Sequence, residues 1–154
     1  MNLMEIISLL VGIGLAYYMF RTLGDKLKKQ VVFMGEFARK NNWQFAAAPD
    51  ALPFAGVAST VGFRPKSVRV QYFVTGVKYD KSFELFLLVG GLETSARKTA
   101  IGYATIVRTR QPLDLPAALP ADTYGFSEGE WHYIVYRANA MSEEQINVLL
   151  DLLR

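Results

Sequence analysis

The sequence predicts an α+β protein: an N-terminal transmembrane helix continues into an amphipathic helix, and an antiparallel β-sheet and a short C-terminal helix follow. Three observations predict this class. An apolar run is succeeded by an apolar stripe at helical spacing, the apolar period then changes to two, and a helix-capping motif stands near the C-terminus. We expect a transmembrane helix at 1–20, a basic amphipathic juxtamembrane helix at 21–42 and a small β-rich α+β domain at 43–154.

The apolar run covers residues 3–20, and Glu5 is its single charged residue. A helix of this length measures about 27 Å, which matches the hydrocarbon thickness of a bilayer. Basic residues follow the run and do not precede it, which is the reverse of a cleavable signal peptide. The run therefore predicts an uncleaved transmembrane helix, and a buried or interfacial helix of a soluble protein is the alternative.

Positive charge directly after the apolar run predicts the orientation in the membrane. The juxtamembrane basic residues are Arg21, Lys26, Lys28 and Lys29. Because Lys and Arg beside a membrane helix favour the cytoplasmic side, we expect the N-terminus outside and the domain in the cytoplasm. A second basic group consists of Arg64, Lys66 and Arg69. There we expect a solvated strand edge, with contact to phosphate headgroups as the alternative.

Two faces of the long helix are candidates for contact with other chains. Small residues that recur every four positions would let a second membrane helix approach closely; they are Ser8, Gly12 and Ala16. The simpler explanation is that small residues are common in membrane helices. After the run, an apolar stripe continues at spacings of three and four. We expect the domain to cover only the C-terminal part of this stripe, which leaves a partner-contact face of Leu23, Leu27 and Val31.

Apolar alternation predicts the strands of the domain. In residues 67–75 the alternation places four apolar residues on one face: Val68, Val70, Tyr72 and Val74. Residues 83–89 are apolar on both faces, which is typical of a central strand. A third strand at 100–109 and a hairpin at 124–137 complete the sheet, whereas the proline-containing segment 46–62 is expected to be a loop. Ser142 and Gln145 form a capping box that begins the last helix.

No pattern in the sequence predicts a catalytic residue, a cofactor or a metal site. Residues 125–129 match the G-x-S-x-G pattern of hydrolases, but that motif needs a helix after the serine turn and a histidine and an acid further along the chain. Here a strand is expected to follow, and it contains the single histidine, His132. The chain has no cysteine, which excludes thiolate ligands and thiol nucleophiles. We therefore expect a protein that is not an enzyme. We also expect no binding to nucleic acid, because the charge outside residues 21–40 is nearly balanced.

The layout resembles a group of uncharacterised bacterial single-pass membrane proteins. The features that carry the resemblance are the N-terminal anchor, a basic helix that ends in FARKNNWQF at 37–45, a strand–turn–strand unit at 74–83, and a late strand with Trp131 before a short helix. The resemblance implies a bacterial membrane protein with a small cytoplasmic α+β domain. It implies no catalytic residues.

A second resemblance is to type IV pilins. Mature pilins begin with about twenty apolar residues that are interrupted by a glutamate at the fifth position, where this chain has Glu5. This resemblance implies a filament subunit with its head outside the cell. Met1 in place of an aromatic residue, no preceding leader with a basic cleavage site, no proline near position 22 and the basic flank argue against it.

These observations together predict a single-pass membrane-anchored interaction or assembly protein. Its expected partners are the lipid bilayer and either a protein partner or a second copy of the chain. The alternatives are a type IV pilin-like filament subunit and a membrane-anchored enzyme of unknown reaction.

Overall fold

A computed structural model of the chain describes residues 3–47, 55–93 and 100–154. It confirms the predicted α+β fold. The helices are α1 (Leu3–Lys40), α2 (Ala55–Thr60) and α3 (Glu143–Asp151), and a 3₁₀ turn covers Pro65–Ser67. The strands are β1 (Gln44–Ala47), β2 (Arg69–Lys78), β3 (Lys81–Gly91), β4 (Ile101–Thr109), β5 (Thr123–Glu128) and β6 (Trp131–Tyr136). They form one antiparallel sheet in the order β1-β2-β3-β4-β6-β5.

α1 is a single helix whose two halves have different surroundings. The N-terminal half is long and apolar enough to cross a membrane, and none of its most apolar window is buried in the fold. The C-terminal half packs on the sheet. The helix ends at Lys40 in a Schellman motif, in which Asn42 adopts φ 58° and the Trp43 amide donates to the Ala38 carbonyl at 2.8 Å. The helix therefore ends within two residues of the boundary predicted at 42.

The two faces of the sheet are covered by different elements. α1 and α3 pack on the first face, and α2 with the segment that follows it packs on the second. β3 is buried on both faces, as predicted: Phe83, Leu85, Leu87 and Val89 lie in the first core, whereas Phe86 and Leu88 lie in the second. α2 was not predicted, because the proline and glycine signals of 46–62 indicate a loop; residues 48–54 of that segment lie outside the described residues.

The predicted arrangement of β2 is wrong in one respect. Val68 and Val70 belong to the second core, but Tyr72 and Val74 belong to the first. The cause is a register shift between Val70 and Phe73, because one additional residue in a strand reverses the facing of every residue after it.

The domain covers more of the α1 stripe than the sequence indicates. Leu27 is only 6% exposed and lies in the first core, and Leu23 packs against that core. β2 and β3 extend along the second half of the helix: Arg69 and Val89 lie beside Leu23 and Leu27 at one end, and Gly76 and Phe83 contact Trp43 at the other. The expectation that Leu27 faces a partner is corrected: it contacts the chain's own sheet. Val31 is half-buried.

α3 is capped at its start and is bonded to the end of β2 and the following turn at its other end. Its capping box is confirmed, since the Ser142 hydroxyl accepts a hydrogen bond from the Gln145 amide at 3.2 Å. At its far end, Asp151 accepts a hydrogen bond from the Tyr79 hydroxyl at 2.6 Å and pairs with Lys78 at 2.9 Å. The Tyr79 hydrogen bond and Lys78 lower the pKa of the Asp151 carboxyl. This contact therefore stabilises the fold at neutral pH and is lost as the pH falls through the lowered pKa.

A small polar cluster lies between α1 and the first face. The buried Gln30 amide donates to the Ala140 carbonyl, and the Thr105 hydroxyl donates to the Ala138 carbonyl at 2.8 Å. The Tyr72 hydroxyl is buried beside Gln30 and Thr105 without a hydrogen bond of acceptable geometry to either. Burial raises the pKa of the Tyr72 phenol well above its usual range. The phenol consequently stays neutral.

Substitutions of Gln30 and Tyr72 in this cluster should change the free energy of unfolding differently. Gln30→Ala leaves a buried carbonyl without its donor and should lower the free energy of unfolding by about 1–3 kcal/mol. Tyr72→Phe removes an unpaired polar atom, and it should leave that free energy unchanged or raise it by up to ~1 kcal/mol. Urea unfolding of the full chain in detergent micelles measures both. An equal loss in the two variants would mean that the Tyr72 hydroxyl has a partner.

Candidate functional site

The domain has two ends along the axis of α1. We call the end beside residue 21 the proximal end and the end beside residue 40 the distal end; they are roughly 30 Å apart along the helix. β2 runs from the proximal to the distal end, because Arg69 lies near Leu23 and Leu27 while Gly76 contacts Trp43. The β2–β3 turn, the end of β4 and the start of β6 are consequently distal.

An open groove of about 880 Å³ lies at the distal end. Its lining combines amides, hydroxyls, one acid, one arginine and both tryptophans of the chain. We call it the distal groove, and its polar and tryptophan residues are Asn41, Asn42, Trp43, Gln44, Thr75, Ser82, Glu84, Arg110, Gln111 and Trp131.

One wall of the distal groove depends on Trp43. The Schellman motif turns the chain so that the indole packs edge-on against Phe37 and Phe83, with ring centroids 5.5 and 5.0 Å away. Gly76 makes this position possible, because a Cβ atom there would overlap the indole ring. Any larger residue at 76 would therefore displace Trp43 and change the shape of the groove.

The other wall is built on a buried ion pair. Arg108 pairs with Glu84 across β4 and β3, and their side chains are only 8% and 24% exposed. The Arg108 guanidinium lies 3.9 Å from the centre of the Trp131 ring. A second guanidinium, that of Arg110, lies 4.7 Å from the same ring and pairs with Glu130 at 3.3 Å. Both guanidiniums are placed for cation–π contact with this indole.

These two arginines have different chemical roles. The charge of Arg108 is enclosed and compensated, so it holds Trp131 and the sheet in place. Arg110 remains 63% exposed at the rim and can exchange Glu130 for another anionic group at low cost. The groove therefore presents a fixed indole, an exposed guanidinium and the side-chain amides of its rim. Among these amides, that of Gln111 already bonds the Ser82 amide and the Asp80 carbonyl of the chain itself. That set suits a polar, flat or extended ligand.

Sequence reasoning missed this site because its residues meet through strand register. Glu84 lies within β3 and opposes Arg108 of β4, which the pattern of either strand alone does not indicate. The available signal was a charged residue inside each of two strongly apolar strands. A charge at such a position needs a partner, and the two are opposite in sign.

The serine and histidine of the G-x-S-x-G match do come together. Ser127 and His132 are cross-strand neighbours on the β5–β6 hairpin, and their Oγ and Nδ1 atoms are 2.8 Å apart. A strand and not a helix follows Gly129, as the hairpin prediction required. In the described part of the chain no acid forms a hydrogen bond with His132, and Ser127 is exposed on a hairpin. The pair does not form the arrangement that activates a serine nucleophile.

The helix faces predicted from the sequence are placed as follows. Ser8, Gly12 and Ala16 are exposed on the N-terminal half of α1, and the four juxtamembrane basic residues are exposed at its middle. Leu23 and Leu27 belong to the domain, as described above. Among the described residues, no group of three or more histidines or acids could hold a metal ion.

The fold and its groove define a class of protein: a helix long and apolar enough to cross a membrane continues without interruption into an α+β domain with an open distal groove. Comparisons with protein-family models, with curated proteins and with solved structures found no match to the chain. The geometry of the described residues is therefore the basis on which a function is proposed.

The buried ion pair should contribute far more to stability than the exposed one. Glu84→Gln leaves Arg108 enclosed without a counter-charge and should lower the free energy of unfolding by about 2–4 kcal/mol. Glu130→Gln is the matched control; both partners of that pair are more than half exposed, so the loss should stay below about 0.5 kcal/mol. Urea unfolding in detergent micelles compares them. Equal losses would contradict the enclosed role of Arg108.

Proposed function

We propose that the chain is a single-pass membrane-anchored interaction protein that binds a protein partner in its distal groove. The domain lies in the cytoplasm, and the bound element is an extended polar segment of the partner. The observation that carries the proposal is the position of the groove: it opens at the distal end of one continuous helix, roughly 30 Å from the apolar segment.

The chemistry of the groove supports a peptide ligand. Tryptophan and arginine are the residues that most often dominate binding energy at protein interfaces. Trp131 and Arg110 lie side by side here, and the first is held in place by the Glu84–Arg108 pair. Asn42 and Gln44 also line the groove, and their side-chain amides carry donor and acceptor groups of the kind that a peptide backbone bonds. Binding of an oligosaccharide is a possible outcome of the test below and not part of the proposal.

The membrane segment supports a second contact of the same protein. The small-residue face of Ser8, Gly12 and Ala16 is exposed, and Gly12 has no neighbour that would obstruct an approaching helix. In the bilayer this face would pack against a helix of the partner or of a second copy. Helix packing in the bilayer and partner binding in the distal groove would then both contribute to the same complex.

A type IV pilin-like subunit is the second candidate function. It is favoured by the observation that α1 has an exposed apolar half with Glu5 near its start, while the other half packs on an antiparallel sheet. In that case the domain would lie outside the cell. The side of the membrane on which the domain lies separates the two candidates.

A photo-reactive amino acid at Val77 tests the groove, because Val77 lines it and is 60% exposed. In cells, we expect one defined protein adduct at this position. Arg110→Glu in the same chain should reduce that adduct at least fivefold, since it reverses the charge at the rim of the groove.

Val32 supplies the matched control, because it has the same side chain and is 61% exposed but lies on α1. We expect no such adduct there. An adduct at Val32 alone would move the partner contact to the helix, and no protein adduct at Val77 would remove the groove proposal in favour of a small-molecule or carbohydrate ligand.

Reporter fusions after Arg154 test the orientation. A reporter active only in the cytoplasm should work, and one active only outside it should not, because the basic flank of α1 keeps that end inside. Replacing the four flanking basic residues with glutamine and adding lysines before residue 3 should invert the result. Activity of the outside reporter in the unaltered chain would favour the pilin-like candidate.

A further inference from the structure

A second charged surface lies at the opposite end of the domain from the distal groove. Here the 3₁₀ turn, the start of β2, the end of β3 and the start of β4 meet the first turns of α1 beyond the apolar segment. A cavity of about 220 Å³ lies between them, with Leu23, Leu27, Val89 and Ile101 as its apolar wall and Arg69 among its polar residues.

The basic residues of the 3₁₀ turn are held at this end by backbone packing. The turn lies across the end of β3, where the Gly91 amide donates to the Ser67 hydroxyl at 3.1 Å. Gly90 allows the 3₁₀ turn to approach β3 closely, because a Cβ atom at this position would come within 2.7 Å of the Ser67 carbonyl oxygen. Lys66 and Arg69, on either side of this contact, are both exposed.

The length of α1 sets the distance between this surface and a membrane. Leu23 and Leu27 follow the last apolar residue, Phe20, by three and seven positions, or roughly 5 and 10 Å of continuous helix. That is close to the Debye length of about 8 Å at physiological ionic strength. Charges on this end of the domain therefore interact with headgroups without strong screening.

The proximal end of the domain is predominantly positive. The exposed basic flank of α1 and the group Arg64, Lys66 and Arg69 together contain seven positive side chains near this end. The acidic residues described nearby are Asp25 and Glu93. Neither of them lines the cavity.

We propose that the proximal end of the domain binds the headgroup of an anionic phospholipid, with Arg69 and Lys66 on the phosphate and the Leu23–Leu27–Ile101 wall against the first carbons of its acyl chains. The proposal rests on the membrane anchoring proposed above. An apolar wall beside a guanidinium suits an amphipathic ligand better than free phosphate, which has no apolar part. The contact would hold the domain upright on the bilayer and point the distal groove away from it.

The experiment uses the full chain in micelles of a neutral detergent that contain equal amounts of phosphatidylglycerol and phosphatidylcholine. Native mass spectrometry counts the retained lipids of each type. The test variant is Lys66→Gln with Arg69→Gln. The control is Arg39→Gln with Lys40→Gln, which also removes one lysine and one arginine but at the exposed distal end of α1. Alkaline extraction of membranes checks separately that every variant remains an integral membrane protein.

We expect the unaltered chain and the control to retain phosphatidylglycerol preferentially, and the test variant to lose about five- to twenty-five-fold of that preference. Excess inorganic phosphate should not displace the lipid. Equal preference in all three proteins, or no preference in any, would overturn the headgroup site. Displacement by inorganic phosphate would overturn it in favour of a free-anion site. Loss of the chain on alkaline extraction would instead overturn the membrane anchoring itself.

Discussion

The packing of the second half of α1 along the first face of the sheet is the contact on which the rest of the structure depends. Leu27, Met34 and Phe37 bury the helix on strands of nine to eleven residues. Each buried side chain of this kind contributes about 1.5–3 kcal/mol, so helix and sheet behave as one body. Because the same helix continues into the apolar segment, the domain acquires a proximal and a distal end with fixed spacing, and both proposed sites follow from that geometry.

The Glu84–Arg108 pair lies in the sheet because the helices cover the two faces of the sheet unequally. α1 and α3 together cover the first face, but α2 has six residues and covers only part of the second. At the sheet positions beyond α2, apolar side chains such as leucine would be exposed to water. Glu84 and Arg108 occupy those positions instead, with Trp131 over the guanidinium, so the sheet continues to a partly open surface without an exposed apolar patch.

Most elements of the fold could be predicted from the sequence because each has a local signature: the change of apolar period, the capping box before α3 and the apolar faces of β3. The short helix α2 could not, because the proline and glycine residues of its segment indicate a loop. The facing of Val70 against Tyr72 could not, since a β-bulge inserts one residue without a characteristic local pattern. The burial of Leu27 depends on how far β3 extends along the helix, and the Glu84–Arg108 pair depends on register. These contacts depend on how two elements are placed relative to each other, and the apolar periodicity of a single element does not predict that placement.

The contacts of α3 have a consequence for synthesis. The first core is completed by the last residues of the chain, including Leu150 and Leu153, and the buried Gln30 finds its partner at Ala140. At about 5–20 residues per second, a ribosome needs roughly 6–25 s to pass from the end of α1 to Leu153. During this interval the apolar stripe of α1 is uncovered, although its N-terminal half can already occupy the bilayer. In the proposed membrane-anchored state, the nascent chain would therefore lie beside the bilayer with an incomplete first core until Leu150 and Leu153 have been synthesised.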